Sequence, residues 1–147
     1  MAYFEILDAK DKPKIMENDD YMRIIAESGN DVTNIYPNTK YYYYYDNNVL
    51  VAQAYIQSPN SNLHSMLISD PVNRGNMNGM YYIWAVETKP EFRNKGYAQS
   101  ILNQVIDRHN KYFLCVRNDN HAAIHVYQKI GFRYSHDCTN KYLIMKL

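Results

Sequence analysis

Two apolar segments separated by one amphipathic helix constrain the fold more than any other feature of this sequence. The segments "MYYIWAVE" (80–87) and "KYFLCVR" (111–117) are apolar on both faces, as central strands are. Between them, "YAQSILNQVIDRHN" (97–110) predicts a helix with apolar residues on one face, namely Ala98, Ile101, Leu102, Val105 and Ile106. A strand, a helix and a strand in this order are typical of a βαβ crossover. The two strands are therefore predicted to be parallel neighbours.

The remaining segments predict a single mixed α/β (α+β) domain over residues 1–147. "YFEIL" (3–7) alternates as a strand does, and Pro13 and Gly29 bracket an amphipathic helix over roughly 14–28. "NHAAIHVYQKI" predicts a second helix that ends at Gly131, and "FRYSHD" and "KYLIMKL" predict a closing hairpin. The segment 58–79 is rich in Pro, Asn, Ser and Gly, so it contains either a further strand or a functional loop.

The stretch "KYYYYYDNN" (40–48) allows three interpretations: low complexity, a platform that stacks nucleic-acid bases, or a strand of unusual composition. As a strand, it forms a hairpin with "NVLVAQAYIQ" through Asp46-Asn47-Asn48, because Asn and Asp tolerate positive φ. Alternation then places Tyr42 and Tyr44 on one face and Tyr41, Tyr43 and Tyr45 on the other. One face is expected to pack on a helix and the other to reach towards an acceptor groove.

Composition and charge argue against several classes of protein. The formal net charge is +1, which gives no electrostatic footprint for duplex nucleic acid. No run of about 18 apolar residues predicts a membrane span, and the N-terminus lacks the apolar core of a secretory signal. Cys115 and Cys138 fit no metal-ligand spacing and are interpreted as reduced thiols. A cytoplasmic location with no nucleic-acid or membrane partner is the resulting expectation.

Chemistry is concentrated in Arg93-Asn94-Lys95-Gly96-Tyr97-Ala98, between a strand end and a helix start. The first turn of a helix offers unpaired N–H groups and the positive end of the helix dipole, which together bind anions. Gly96 has no Cβ to keep a phosphate from the backbone, and Arg93 and Lys95 add two cations. This short pattern is weak alone, and its position before a helix makes it a predicted phosphate-binding loop.

Two segments together resemble the signature of the Gcn5-related N-acetyltransferase (GNAT) superfamily. "AVETKPEFRNKGYAQSIL" is similar to the family's pyrophosphate loop for acetyl-coenzyme A, R/Q-x-x-G-x-G/A, with Asn94 where Gly is common. "NHAAIHVYQKIGF" is similar to its N-x-x-A-x-x-x-Y-x-K-x-G-F pattern, with matches at Asn120, Ala123, Tyr127, Lys129, Gly131 and Phe132. The resemblance covers roughly residues 80–133. It implies a mostly antiparallel sheet of six to seven strands, with 80–87 and 111–117 as a splayed parallel pair between flanking helices.

The resemblance also implies roles for individual residues. The backbone from Arg93 to Ala98 would hold the pyrophosphate, and the strand backbone at Ala85 and Val86 would pair with the pantetheine arm. Asn120 would touch the cofactor, and Tyr127 would lie near its sulfur, where a hydroxyl can protonate a departing thiolate. Packing of Tyr127 on the sheet is the structural alternative.

The proton acceptor for an amine substrate is harder to predict. Glu87, at a strand end beside the splay, is the first candidate base, with a surface carboxylate as the alternative. His64 is a weaker candidate. His121 and His125 have metal-ligand spacing on a helix but lack a third ligand, so no metal is predicted. The acidic cluster of Glu17, Asp19 and Asp20 suits a cationic amine if its helix borders the acceptor groove, as it does in the family.

These observations together predict an acetyl-coenzyme A-dependent N-acetyltransferase that acts directly on a primary amine of a small molecule or peptide. A GNAT-like module that binds acyl-coenzyme A or a partner without turnover is the alternative. A homodimer is open as an assembly state, since homodimers are common in the family.

Overall fold

The computed structural model describes residues 2–11, 38–59, 77 and 79–147. Within these residues the chain forms seven strands and two α-helices, whose order along the chain is β1 Ala2–Leu7, β2 Thr39–Asp46, β3 Val49–Gln57, β4 Tyr81–Thr88, α1 Tyr97–Val105, β5 Tyr112–Arg117, α2 His121–Ile130, β6 Arg133–Asp137 and β7 Tyr142–Lys146. Short 3₁₀ turns cover Ala9–Asp11 and Pro90–Phe92. The predicted helix over 14–28 and nearly all of the segment 58–79 lie outside the described residues. So do His64, Glu17, Asp19 and Asp20.

All seven strands belong to one sheet with the order β1-β2-β3-β4-β5-β7-β6. Every neighbouring pair is antiparallel except β4 and β5, which are parallel. The predicted βαβ crossover and the predicted mixed, mostly antiparallel fold are both confirmed. The crossover places the parallel pair in the middle of the sheet, with an antiparallel half on each side.

The tyrosine stretch is an ordinary strand of this sheet. Asn47 and Asn48 have φ of 51° and 65°, as the turn of a tight hairpin requires, so the predicted hairpin between β2 and β3 is confirmed. Tyr42 and Tyr44 lie in or against the core that packs on α1 and α2, whereas Tyr41 and Tyr43 belong to a second core on the opposite face. Tyr41, Tyr43 and Tyr44 are buried, so these rings cannot stack on nucleic-acid bases.

The crossover helix is shorter than predicted, because it ends at Val105 and not near residue 110. Ile106 has extended backbone angles. The Asp107 carboxylate then accepts a hydrogen bond from the His109 N–H (2.9 Å), and the Tyr112 hydroxyl accepts one from the Asp107 N–H (2.9 Å). A short polar side chain that bonds to nearby backbone offers an alternative to the helix. The prediction of a helix to 110 followed the apolar period and overlooked this turn.

The predicted second helix and the predicted closing hairpin are both confirmed. Helix α2 ends at Gly131, which has a φ of 124°, and β6 pairs with β7. Both helices contribute to one large core on the same face of the sheet, which includes Ile101, Leu102, Ile130 and Phe132. Within the described residues, no helix is long and apolar enough to cross a membrane.

Candidate active site

The parallel strands β4 and β5 separate at their carboxyl ends. Their pairing runs from Tyr81 opposite Tyr112 to Ile83 opposite Leu114 and then stops, although β4 continues to Thr88 and β5 to Arg117. A cavity of about 260 Å³ lies between the separated ends. Ala85, Val86, Glu87, Cys115, Asn120 and Tyr127 are among the residues that line it. The splay that the resemblance implied is therefore present.

A β-bulge in β4 lies at the point of separation. Opposite β3, Gln53 pairs with Glu87 and Tyr55 pairs with Trp84, so β4 has one residue more than β3 over this stretch. Ala85 has a φ of 50°, a left-handed conformation that is uncommon for any residue but Gly. A bulge of this kind bends the strand and redirects its backbone groups. It moves β4 away from β5 at the residues predicted to bind the pantetheine arm.

The loop Arg93–Ala98 brings a helix N-terminus to the same groove. Gly96 precedes α1 with a φ of 80°, and within the described residues a Cβ placed there would meet nothing within 4 Å. The first helical hydrogen bond runs from the Ser100 N–H to the Gly96 carbonyl at 3.0 Å. The N–H groups of Tyr97, Ala98 and Gln99 therefore have no acceptor within the helix. The loop has both the open space and the donors that an anion needs.

A second cavity of about 360 Å³ lies beside this loop. Its lining includes Asn94, Gly96, Ala98 and Gln99 on one side and Ala122, Ala123 and Lys129 from α2 on the other. Val86 and Tyr127 line both this cavity and the cavity between the strands. The two cavities therefore adjoin each other, and together they are called the groove, which extends from the predicted phosphate-binding loop to the splayed strands.

Arg93 and Glu87, which were predicted to act separately, contact each other in the structure. The Arg93 Nη2 donates to the Glu87 Oε1 at 2.8 Å, and the Arg93 Nε donates to the Thr88 carbonyl at 3.1 Å. The Glu87 side chain is 21% exposed and the Arg93 side chain is 49% exposed. The ion pair thus links the end of β4 to the loop. Glu87 also lines the splay cavity.

The other loop side chains point in different directions. The Lys95 ammonium lies over the Phe92 ring, 5.6 Å from its centroid. The Tyr97 hydroxyl donates to the Asp46 carboxylate at 2.8 Å, which ties the start of α1 to the end of β2. The contribution that Tyr97 and Ala98 can make to a ligand in the groove is therefore chiefly their backbone N–H groups. The Lys95 side chain differs, because it is exposed beside the loop and can still contact a ligand in the groove.

Asn120 and Tyr127 are both held by α2. The Asn120 side-chain oxygen accepts a hydrogen bond from the Ala123 N–H at 3.2 Å and so caps the helix. The Asn120 amide NH₂ is the group left to donate to a ligand. Tyr127 is 8% exposed, and its burial together with the nearby Glu87 charge raises its pKa to about 12. Its hydroxyl is therefore protonated at neutral pH.

Two residues of this region were not predicted to belong to the site. Cys115 lines the splay cavity, and burial raises its pKa to about 12, so its thiol is protonated and a poor nucleophile. Gln53 lies behind the bulge, where its Nε2 donates to the Ala85 carbonyl at 3.2 Å. The signal for Gln53 was a polar letter inside the apolar run "VLVAQAYI".

Among residues 2–11, 38–59, 77 and 79–147, no group of three or more His, Cys, Asp or Glu side chains could hold a metal ion. His121 and His125 lie on the exposed side of α2.

Comparison with known proteins gives a family match and many structural matches. A model described as the acetyltransferase (GNAT) family matches residues 4–132. No curated protein sequence matches the chain. Among solved structures, the ribosomal-protein-S18-alanine N-acetyltransferase from Escherichia coli is 18% identical, with a TM-score of 0.60 over 100% of this chain and 93% of that one.

Two further solved structures contain acetyl-coenzyme A. Arabidopsis thaliana NAA60 in complex with acetyl-CoA is 14% identical, with a TM-score of 0.64 over 100% of this chain and 98% of that one. Campylobacter jejuni N-acetyltransferase PseH in complex with acetyl coenzyme A is 13% identical, with a TM-score of 0.57 over 100% and 98%. At these identities the structural likeness establishes the fold.

Proposed function

Because this chain belongs to the acetyltransferase (GNAT) family, we propose that it moves the acetyl group of acetyl-coenzyme A directly to a primary amine of a small molecule or peptide. The family supplies the enzyme class, an N-acetyltransferase, and its co-substrate. The observation that carries the finer proposal is that the cavity beside the Arg93–Ala98 loop adjoins the cavity in the splay between β4 and β5.

The residues along the groove fit acetyl-coenzyme A. The loop has open space at Gly96 and N–H groups without an acceptor inside α1, which suit a pyrophosphate. The bulged backbone at Ala85 and Val86 suits the amides of a pantetheine arm, because it is no longer paired with β5. These residues would hold the co-substrate, which supplies an activated acetyl thioester.

The residues at the splay then account for the proton transfers. The amine nitrogen forms the new bond to the acetyl carbon, and the bond from that carbon to sulfur breaks. Glu87 takes the proton that the amine loses, and the Tyr127 hydroxyl donates a hydrogen bond to the departing thiolate, which leaves as the thiolate and takes a proton from solvent if it needs one. A thiol of pKa about 8.5 is a better acid than a phenol of pKa about 12, so the Tyr127 hydrogen bond assists the departure without being indispensable.

Direct transfer is supported by the state of the thiol in the cavity. A transfer through an acetylated enzyme needs a nucleophilic side chain, and the raised pKa of Cys115 keeps its thiol protonated.

For the amine, deprotonation near pH 7 costs about 4–5 kcal/mol when its pKa is about 10.4. Glu87 at the groove is the described carboxylate placed to offset part of that cost.

The assembly state and the cellular location stay predictions. The molar mass in solution would test the homodimer, and fractionation of cells that express the chain would test the cytoplasmic location.

Thiol release and thermal shift test the proposal. Acetyl-coenzyme A should raise the Tm of the protein, and a panel of amines should then produce acceptor-dependent thiol release. The double variant Arg93→Ala, Gly96→Asp should lose the co-substrate's stabilisation; an unchanged stabilisation would contradict the phosphate-loop assignment. Binding without thiol release from any amine in a broad panel would favour the module that binds acyl-coenzyme A without turnover.

A further inference from the structure

A buried chain of hydrogen bonds connects the tyrosine stretch to the bulge of β4. The hydroxyls of Tyr43 and Tyr55 lie 3.0 Å apart, the Tyr55 hydroxyl donates to the Gln53 Oε1 at 3.3 Å, and the Gln53 Nε2 donates to the Ala85 carbonyl at 3.2 Å. Tyr43, Tyr55 and Gln53 are 0%, 2% and 0% exposed. The chain begins inside the protein and ends on the backbone of the groove.

The direction of every bond in this chain is determined. Tyr55 has a single O–H, which goes to Gln53, so Tyr43 must be the donor to the Tyr55 oxygen. The Ala85 carbonyl can only accept, so the Gln53 NH₂ faces the bulge and the Gln53 oxygen is left to accept from Tyr55. Hydrogen bonds aligned head to tail in a buried environment strengthen one another.

The bond to Ala85 is made where the backbone needs support. Ala85 is in the left-handed region at φ 50°, which costs an L-residue about 1–2 kcal/mol and persists only when its surroundings fix it. On the side of β5 the strand has no pairing partner after Ile83. The Gln53 amide supplies a fixed contact to the bulge from the other side.

We propose that Gln53, oriented by Tyr55 and Tyr43, is a positioning residue that holds the Ala85 bulge in the conformation that receives the acetyl-pantetheine end of the co-substrate. This inference rests on the proposed function. The chain does not relay protons, because burial raises the pKa of both Tyr43 and Tyr55 well above the usual value of a phenol. Its role is to fix geometry.

The same strand offers a matched control. Gln57 lies on the same face of β3 as Gln53 and is 1% exposed, and neither of its side-chain polar atoms has a hydrogen-bond partner among the residues that the structure describes. Gln53→Leu and Gln57→Leu therefore make the same chemical change in two buried sites of one strand. Only the first change removes a contact to the bulge.

Affinity for acetyl-coenzyme A, measured by isothermal titration, is the first readout. We expect Gln53→Leu to raise the Kd about tenfold, which is the factor for the loss of about one hydrogen bond between the co-substrate and the bulge. Tyr55→Phe, which keeps the ring and loses only the donor to Gln53, should raise the Kd by a smaller factor. Gln57→Leu should leave the Kd within about twofold of the unsubstituted chain. Equal losses in the two glutamine variants would refute the inference.

Hydrogen exchange of backbone amides in the protein without acetyl-coenzyme A is the second readout. Gln53→Leu should speed exchange at residues 84–87 and leave the β5–β7 pairing unchanged, whereas Gln57→Leu should not alter residues 84–87. If Gln53→Leu does not fold, Tyr55→Phe carries both measurements. Unaltered exchange at residues 84–87 in both Gln53→Leu and Tyr55→Phe would overturn the inference even if the enzyme is active. A chain that binds no acetyl-coenzyme A but shows the exchange difference would refute the proposed function and support the contact to the bulge.

Discussion

Replacement of Gly96 by alanine tests the groove through a single methyl group. Gly96 has a φ of 80°, and a Cβ there would touch none of the described residues within 4 Å. The folded state should therefore lose only the backbone term, about 1–2 kcal/mol for a left-handed alanine. For a domain of this size such a loss lowers the Tm by about 2–8 °C.

The effect on binding should be larger than this backbone term suggests. Gly96 lines the groove, so the added methyl stands in space that a phosphate would need. The loss of one charge-assisted hydrogen bond between a backbone N–H and a phosphate costs about 1.5–3 kcal/mol. That cost corresponds to a Kd for acetyl-coenzyme A that rises about 10- to 150-fold.

Gly79→Ala is the control for this experiment. Gly79 has a φ of 76°, and a Cβ built there would also meet no atom of the described part of the chain within 4 Å, but Gly79 is not among the residues that line the groove. It carries the same backbone cost without the effect on a ligand. Trp84 is the single tryptophan of the chain and lines the splay cavity, so its fluorescence reports binding in both variants. If the two variants lower Tm equally and bind acetyl-coenzyme A equally well, the loop does not hold the phosphates.

Three further predictions follow from the site. Tyr127→Phe should lower kcat about 10- to 100-fold in the thiol-release assay with little change in the Kd of acetyl-coenzyme A, because a thiol leaves readily without an acid; an unchanged kcat would assign Tyr127 to packing alone. Asn120→Ala should cost about 1 kcal/mol of stability through the lost helix cap, whereas Asn120→Asp should keep the Tm and weaken acetyl-coenzyme A binding; equal losses of Tm in denaturation scans would contradict this separation. Finally, the pKa values of Tyr127 and Cys115 are raised in the folded state to about 12, so their stabilisation is complete below their unfolded values of 10.0 and 9.0 and falls as pH rises towards 12. Urea unfolding from pH 8 to 11 should show ΔG falling above pH 9, by up to about 1.4 kcal/mol per pH unit for each group, and a flat profile would contradict it.

The parts of the fold that follow from local pattern could be predicted. Central strands, the βαβ crossover and the Asn47-Asn48 hairpin each have a signal within a few residues, and the structure has all of them. The predicted end of α1 was wrong, because the Asp107 carboxylate accepts a hydrogen bond from the His109 backbone and the period of apolar residues carries no sign of this bond. The bulge at Ala85 could not be predicted either, since nothing in "WAVE" marks the residue that leaves the register.

The site divides along the same line. The position of the loop before α1 could be predicted, because a glycine before a helix has a chemical meaning that does not depend on the rest of the fold, and its role in binding phosphate stays a prediction. The ion pair between Arg93 and Glu87 and the contact of Gln53 with Ala85 depend on which side chains the fold brings together, and six residues or more separate each pair in the sequence.

The short pairing between β4 and β5 also determines how the molecule yields under mechanical load. Strands β1–β4 form one antiparallel half of the sheet and β5–β7 the other, and the two halves are paired directly only from Tyr81–Tyr112 to Ile83–Leu114. Tension applied between the halves is borne by this short pairing, here called the seam, and by α1, which connects β4 to β5. A ligand in the groove would contact both halves, so it should add interactions across the shortest strand pairing of the sheet. In a pulling experiment with handles on β1 and β6, acetyl-coenzyme A should raise the rupture force of that seam.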